Sequence, residues 1–197
     1  MRKISVLLLA AFLLAIVPSF AEEDYATLEV FGGYNLLNEK RDDHGGGIGS
    51  YKMNGWNLAF TRNTNSFFGM KVEASGAYRS GEEKENWYHN SPIKKSYSTL
   101  SYMTGPQISL RNVVGPVTPF AYFLVGIANF SEKWEGEVYT SKHPAIAFGG
   151  GADVSLGELL AIRGQCDYSP TIILDTAKSP PDANVRVAVG VVFKLFK

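Results

Sequence analysis

Phe68-Gly-Met-Lys-Val-Glu-Ala-Ser-Gly-Ala-Tyr78 decides the fold. Phe68, Met70, Val72, Ala74, Gly76 and Tyr78 fall on one parity, and Gly69, Lys71, Glu73, Ser75 and Ala77 fall on the other. A repeat of two puts successive side chains on opposite faces of a β-strand, so this strand has one greasy side and one polar side. Working outward, the same alternation recurs. Toward the N-terminus, Leu28, Val30, Gly32, Tyr34 and Leu36 oppose Glu29, Phe31, Gly33 and Asn35, and Trp56, Leu58 and Phe60 oppose Asn57, Ala59 and Thr61.

Toward the C-terminus, a fourth strand spans 97–111, with Leu100, Tyr102, Ile108 and Leu110 on the apolar parity. Pro106 interrupts it as a residue at an edge or bulge does, because proline donates no ladder hydrogen bond. A fifth, 118–130, is almost wholly apolar, so periodicity leaves its facing open. The sixth sets Ile146, Phe148, Gly150, Ala152 and Val154 against Ala147, Gly149, Gly151 and Asp153. In the seventh, Ile162, Gly164, Cys166 and Tyr168 oppose Arg163, Gln165 and Asp167. In the eighth, Val185, Val187, Val189, Val191, Phe193 and Leu195 oppose Arg186, Ala188, Gly190 and Lys194.

The connections alternate in length. Those at 63–66, 112–117 and 155–158 are short, whereas those at 37–54, 79–96, 131–144 and 169–183 are long and polar. In an antiparallel meander this places every long connection at one rim and every short turn, with both termini, at the other, which is the asymmetry of a bilayer-inserted barrel. Lipid offers the backbone no hydrogen bonds, so a spanning sheet must close on itself, and eight antiparallel strands do so. The expected fold is therefore all-β: an eight-stranded antiparallel up-and-down transmembrane β-barrel. Its greasy parity faces hydrocarbon, where one charged residue at the midplane costs about 2–4 kcal/mol.

The first segment reads as an address. Arg2 and Lys3 precede the apolar run 4–17, and Ser19 and Ala21 are the small residues a signal peptidase selects. Residues 1–21 are expected to be a cleavable signal peptide and residues 22–197 the barrel domain. The apolar run is shorter than the ~20 residues of a spanning helix.

Composition narrows the partners. With 19 basic and 19 acidic residues among 197, no net charge draws the chain to nucleic acid. The single cysteine, Cys166, forms neither an internal disulfide nor a cysteine-rich metal site. Charged residues on the polar parity would instead lie in a lumen only wide enough to be filled by side chains. Glu29, Lys71, Glu73, Asp153, Arg163, Asp167 and Arg186 are thus expected to form a structural network of ion pairs there, with Arg111 and Lys194 on the same face; an acid–base relay is the functional alternative.

Other motifs carry less chemistry. Gly149-Gly150-Gly151 sits inside a strand with no following helix and no Walker lysine, so it marks packing or close backbone approach and not a phosphate loop. His44, His89 and His143 fall in the long connections as surface histidines. Asp42, Asp43, His44 and Ser50 show no catalytic spacing, and the run Glu82-Glu-Lys-Glu85 reads as a solvated tip.

The stretches Ala147-Phe-Gly-Gly-Gly-Ala-Asp-Val154, Ala161-Ile-Arg-Gly-Gln-Cys-Asp-Tyr168 and Val189-Gly-Val-Val-Phe-Lys-Leu195 resemble the outer-membrane β-barrel domain family, the porin-like eight-stranded proteins related to the OmpA transmembrane domain. Gly55-Trp56-Asn57 and Pro119-Phe120-Ala121 extend the likeness more loosely. The resemblance implies that Asp153, Arg163 and Asp167 are lumen-facing charges. It also implies a cell outer membrane location and contact with the insertion machinery, although the ending Phe193-Lys-Leu-Phe-Lys197 departs from the family's final aromatic residue.

The expected function is a small integral outer-membrane protein, monomeric and non-enzymatic. It would act structurally, adhesively or as an interaction partner through four surface loops, with outer-membrane lipid and lipopolysaccharide as neighbours and with no cofactor or metal. A narrow conduit or lipid-modifying enzyme is the first alternative, and a soluble lipocalin-like carrier with the apolar parity turned inward is the second.

Overall fold

The computed structural model describes residues 25–43, 47–83, 93–111, 115–134, 137–170 and 183–196. The expected signal peptide, 1–21, and His44 and His89 lie outside them. Eight strands form a closed barrel in chain order: β1 (Leu28–Asp43), β2 (Gly47–Asn63), β3 (Phe68–Glu83), β4 (Ile93–Ser109), β5 (Val117–Trp134), β6 (Glu137–Ser155), β7 (Leu160–Pro170) and β8 (Ala183–Leu195). Every neighbouring pair is antiparallel, and β8 closes on β1 from Leu28 opposite Leu195 to Asn38 opposite Val185.

Register fixes the shape. Partners followed around the wall from Leu28 pass through Arg62, Met70 and Pro106, then, by the register of the pairs flanking Pro106, through Phe123, Phe148, Tyr168 and Val185, and return to β1 at Asn38, ten residues further on. A shear of ten in eight strands tilts them by roughly 40° and gives a backbone radius of about 8 Å, so side chains must fill the interior. Pro106 is neither at an edge nor at a bulge. Thr104 opposite Val125 and Gln107 opposite Tyr122 keep one register across it, so the β4–β5 ladder resumes in step beyond the gap at Gly105 and Pro106.

The two parities part as the alternation requires. Val187, Val189 and Phe193 are 51%, 55% and 52% exposed, whereas Glu73 and Arg186 are 2% and 4% exposed. Along β8 every outward side chain from Val185 to Leu195 is apolar, a run that at ~3.3 Å per residue and ~40° of tilt stands about 25 Å tall. Tyr34, Trp56, Tyr78, Tyr102 and Tyr168 face outward in the half of this band farther from the short turns. β5, undecided from periodicity, turns Phe120, Tyr122, Leu124 and Ala128 inward and Phe123, Val125 and Ile127 outward.

The strands outrun the expected connections. β1 and β2 continue to Asp43 and from Gly47, β3 and β4 to Glu83 and from Ile93, and β5 and β6 to Trp134 and from Glu137, so most of 37–54, 79–96 and 131–144 is ladder. Above the apolar band both faces of a strand meet water, which removes the hydrophobic repeat but leaves the backbone pairing intact. Hydroxyl pairs accompany it: Ser80 with Ser96 at 3.1 Å and Ser131 with Thr140 at 3.2 Å. β7 stops at Pro170, and β6 pairs with it only from Phe148, so the rim is uneven. Residues 171–182 lie outside the described residues.

Candidate functional site: the lumen

The inward parity of eight tilted strands brings the charged side chains together in two clusters. Nearer the short turns, Arg163 on β7 makes a two-pronged contact with Asp153, its direct cross-strand partner on β6: Nε donates to Oδ1 and Nη2 to Oδ2, both at 2.7 Å. Nη2 also donates to Oε2 of Glu29 at 2.9 Å, and Glu29 Oε1 accepts from Arg111 at 2.8 Å and from the Asn63 amide at 2.9 Å. The Arg163 guanidinium lies 4.5 Å over the Phe120 ring and 5.6 Å over Phe31, so its faces are covered by aromatic carbon.

The second cluster sits higher. Lys71 and Glu73, two residues apart on β3, pair at 2.8 Å. Lys71 also donates to the Gln165 amide oxygen at 3.2 Å, and its Nζ stands 3.8 Å over the Tyr122 ring. Arg186 on β8 bonds its cross-strand partner Asp167 through Nε and Nη2 at 3.0–3.2 Å, and also bonds Glu73 and the Ser75 hydroxyl. Tyr122 donates to Asp167 Oδ2 at 2.9 Å. Glu29, Glu73, Asp153 and Asp167 thus face Lys71, Arg111, Arg163 and Arg186, four charges of each sign. Lys194, on the same parity, donates to the Ser155 hydroxyl at 2.7 Å.

Buried charges are tolerable only when each is paired and hydrogen-bonded, and removing one partner strands the other. All seven candidates lie in the lumen: Glu29, Asp153 and Arg163 in the lower cluster, and Lys71, Glu73, Asp167 and Arg186 in the upper one. Sequence reasoning missed Tyr122 and Gln165 as members. Tyr122 hid in the apolar run of β5, and Gln165 carries no charge to draw notice, although its parity matches that of its neighbours. Among the described residues no three of His, Cys, Asp and Glu are grouped to hold a metal ion. His143 packs against Phe130 at the upper rim, 5.8 Å between ring centroids and with the planes tilted by 50°.

The glycine triplet makes room for this packing. A Cβ on Gly149 would lie 2.5 Å from Asp167 Cβ and 2.8 Å from Tyr122 Cζ, so the bare backbone is what lets the Tyr122 ring reach the carboxylate. We expect Gly149→Ala to destabilise the barrel by about 1–3 kcal/mol through overpacking. Urea unfolding of the refolded protein measures it, and a midpoint equal to the parent's would show the space to be spare.

Above Arg186 and Asp167 the lumen widens into a cavity of about 40 Å³, walled by small residues such as Ser75, Ala77, Ser101 and Ala145. It is large enough for a few water molecules, and the Asn35 amide oxygen at its wall has no protein partner.

A family model described as outer membrane protein beta-barrel domain matches residues 7–193. No curated protein sequence matches the chain. Several solved structures share the fold. The attachment invasion locus protein Ail of Yersinia pestis, in complex with the heparin analogue sucrose octasulfate, has a TM-score of 0.58 at 17% identity, covering 86% of this chain and 98% of that one. Neisserial surface protein A gives a TM-score of 0.62 at 9% identity over 86% of this chain and 98% of that one. OprG of Pseudomonas aeruginosa gives 0.57 at 11% identity over 89% and 98%.

Proposed function

On the premise that the chain belongs to the outer membrane protein beta-barrel domain family and resides in the outer membrane, we propose that it is a closed, non-conducting barrel that acts by contact and not by catalysis. The lumen is a structural plug, and the parts that rise above the lipid belt meet the partner. Residues 1–21 direct export, residues 22–197 are inserted by the barrel-insertion machinery, and the barrel works as a monomer among outer-membrane lipid and lipopolysaccharide.

One observation carries this reading. The interior is filled by charges that satisfy one another, and the exterior is a continuous apolar belt, so charge has no open route and the belt has lipid as its natural solvent. The ladder above the belt on β1 to β6 supplies a stiff platform for contact, and the exposed Lys52, Lys133 and Lys142 offer it cationic points. The first soluble probe to offer is sucrose octasulfate, the compound held by Ail.

Two measurements test the proposal together. The outer-membrane fraction should give a band whose electrophoretic mobility changes on boiling. The purified protein in planar bilayers should give no steady single-channel current. Reproducible conductance through the native protein would favour a conduit, for which the cavity above Arg186 is the specific support. Recovery of the protein in the soluble periplasm without a mobility shift would overturn the barrel's role in the membrane.

A further inference from the structure

We propose that the lipid-facing wall of β5 and β6 seats one molecule of a phosphorylated, multiply acylated lipid of the lipid A type, with phosphates on Lys133 and Lys142 and acyl chains over the rings below. The inference rests on the outer-membrane reading above and adds a site to it.

The outward side chains of these strands form cross-strand rows. Phe123, Phe148 and Tyr168 are direct partners across β5, β6 and β7, their centroids 6.0 and 5.8 Å apart and their planes within 15° and 19° of parallel. Three rings in line make a flat, rigid, exposed apolar strip, a surface that extended hydrocarbon covers with little entropy lost by the protein. Toward the long-connection rim the rows become aliphatic, Val125 with Ile146 and Ile127 with Pro144. They then become polar, Asn129 with Lys142, Ser131 with Thr140, and Lys133 with Val138. From the Lys142 row to the ring row the strand covers about 20 Å, the reach of a fatty acyl chain.

Charge selects the head group. Lys133 and Lys142 are exposed, and among the described residues neither joins an ion pair. The nearby carboxylates Glu132 and Glu137 stand on the opposite parity, so no described carboxylate on this face competes for the lysines. Between the two cations lies the Ser131–Thr140 hydroxyl pair, and the Asn129 amide oxygen is shielded without a partner. Two lysines whose Cα positions are about 14 Å apart by strand geometry, with hydroxyls between their rows, match a lipid carrying two phosphates and sugar hydroxyls. Lys52 on β2, exposed above Asn54 and Trp56 and opposite Asn38, lies across the barrel from this wall and serves as the control.

The test uses the full barrel folded in detergent, titrated with lipid A, dephosphorylated lipid A, phosphatidylglycerol or sucrose octasulfate, with native mass spectrometry counting retained molecules. We expect one lipid A per barrel, about tenfold weaker retention in K133A/K142A, and no change in K52A. Dephosphorylated lipid A should bind the parent about as weakly as lipid A binds K133A/K142A. Phe148→Ala should weaken lipid A and its dephosphorylated form alike. Equal lipid A retention by K133A/K142A and parent, or an equal loss in K52A, overturns the proposal. So does sucrose octasulfate or phosphatidylglycerol binding through the same lysines as tightly as lipid A. Each variant is first checked for its boiling-dependent mobility shift. Loss of that shift in the parent indicts the barrel reading itself, whereas a folded parent with no lipid preference indicts only this site.

Discussion

Arg186→Leu is expected to destabilise the folded barrel by about 3–5 kcal/mol, the largest effect of any single lumen change. Arg186 answers Glu73, Asp167 and the Ser75 hydroxyl at once, and an apolar replacement leaves two carboxylates facing each other in a sealed interior with only Lys71 between them. With a denaturant slope of 1–3 kcal/mol per molar, the urea midpoint should fall by about 2 M. The companion variant R186L/D167N removes the stranded Asp167 charge and leaves Glu73 paired with Lys71, and it should regain more than half of the loss because the upper cluster is again balanced. An R186L protein that unfolds at the parent's midpoint would end the reading of the lumen as a charge-balanced plug.

The second large effect lies on the other side of the same strand. Val189, near the middle of the apolar belt and 55% exposed, should tolerate Arg poorly: about 2–4 kcal/mol for Val189→Arg against about 0–1 kcal/mol for Val185→Arg at the belt's edge. The comparison cancels β-propensity and reads depth alone. Vesicle-insertion yield and urea midpoint both report it. Equal costs at the two positions would mean that the belt does not contact hydrocarbon, and would favour the carrier architecture.

How far the sequence carried the fold depends on what water does at each residue. Where one face meets lipid and the other a filled lumen, alternation is forced, and the facing of Val72, Val187 and Phe193 against Glu73 and Arg186 was readable from parity alone. Where both faces are apolar, as in 118–130, the same logic is silent, and Tyr122 could not be assigned to Asp167 until the ladder fixed it. Where both faces are wet, no repeat marks the strand, and segments whose polar composition reads as loop form the upper ladders of β1 to β6. Pro106 misled because its rule concerns a lost donor, whereas the closed wall here keeps its register across the gap at Gly105 and Pro106.

The lumen was partly legible for a related reason. Arg163 and Asp153, and Arg186 and Asp167, sit opposite one another on adjacent strands, so their contacts follow from register. Glu29 with Arg163, 134 positions apart, and Glu73 with Arg186, 113 apart, meet across the interior, and only closure brings them within reach.

That β1 is zipped to β8 has a consequence for how the molecule comes into being. The seam joins the earliest strand made to the latest, so no shorter nascent chain can be sealed, and the waiting polypeptide must be shielded from sticking to its neighbours. Assembly should therefore be slow and nearly all-or-none, and a chain cut before Ala183 should end in proteolysis instead of a smaller cylinder.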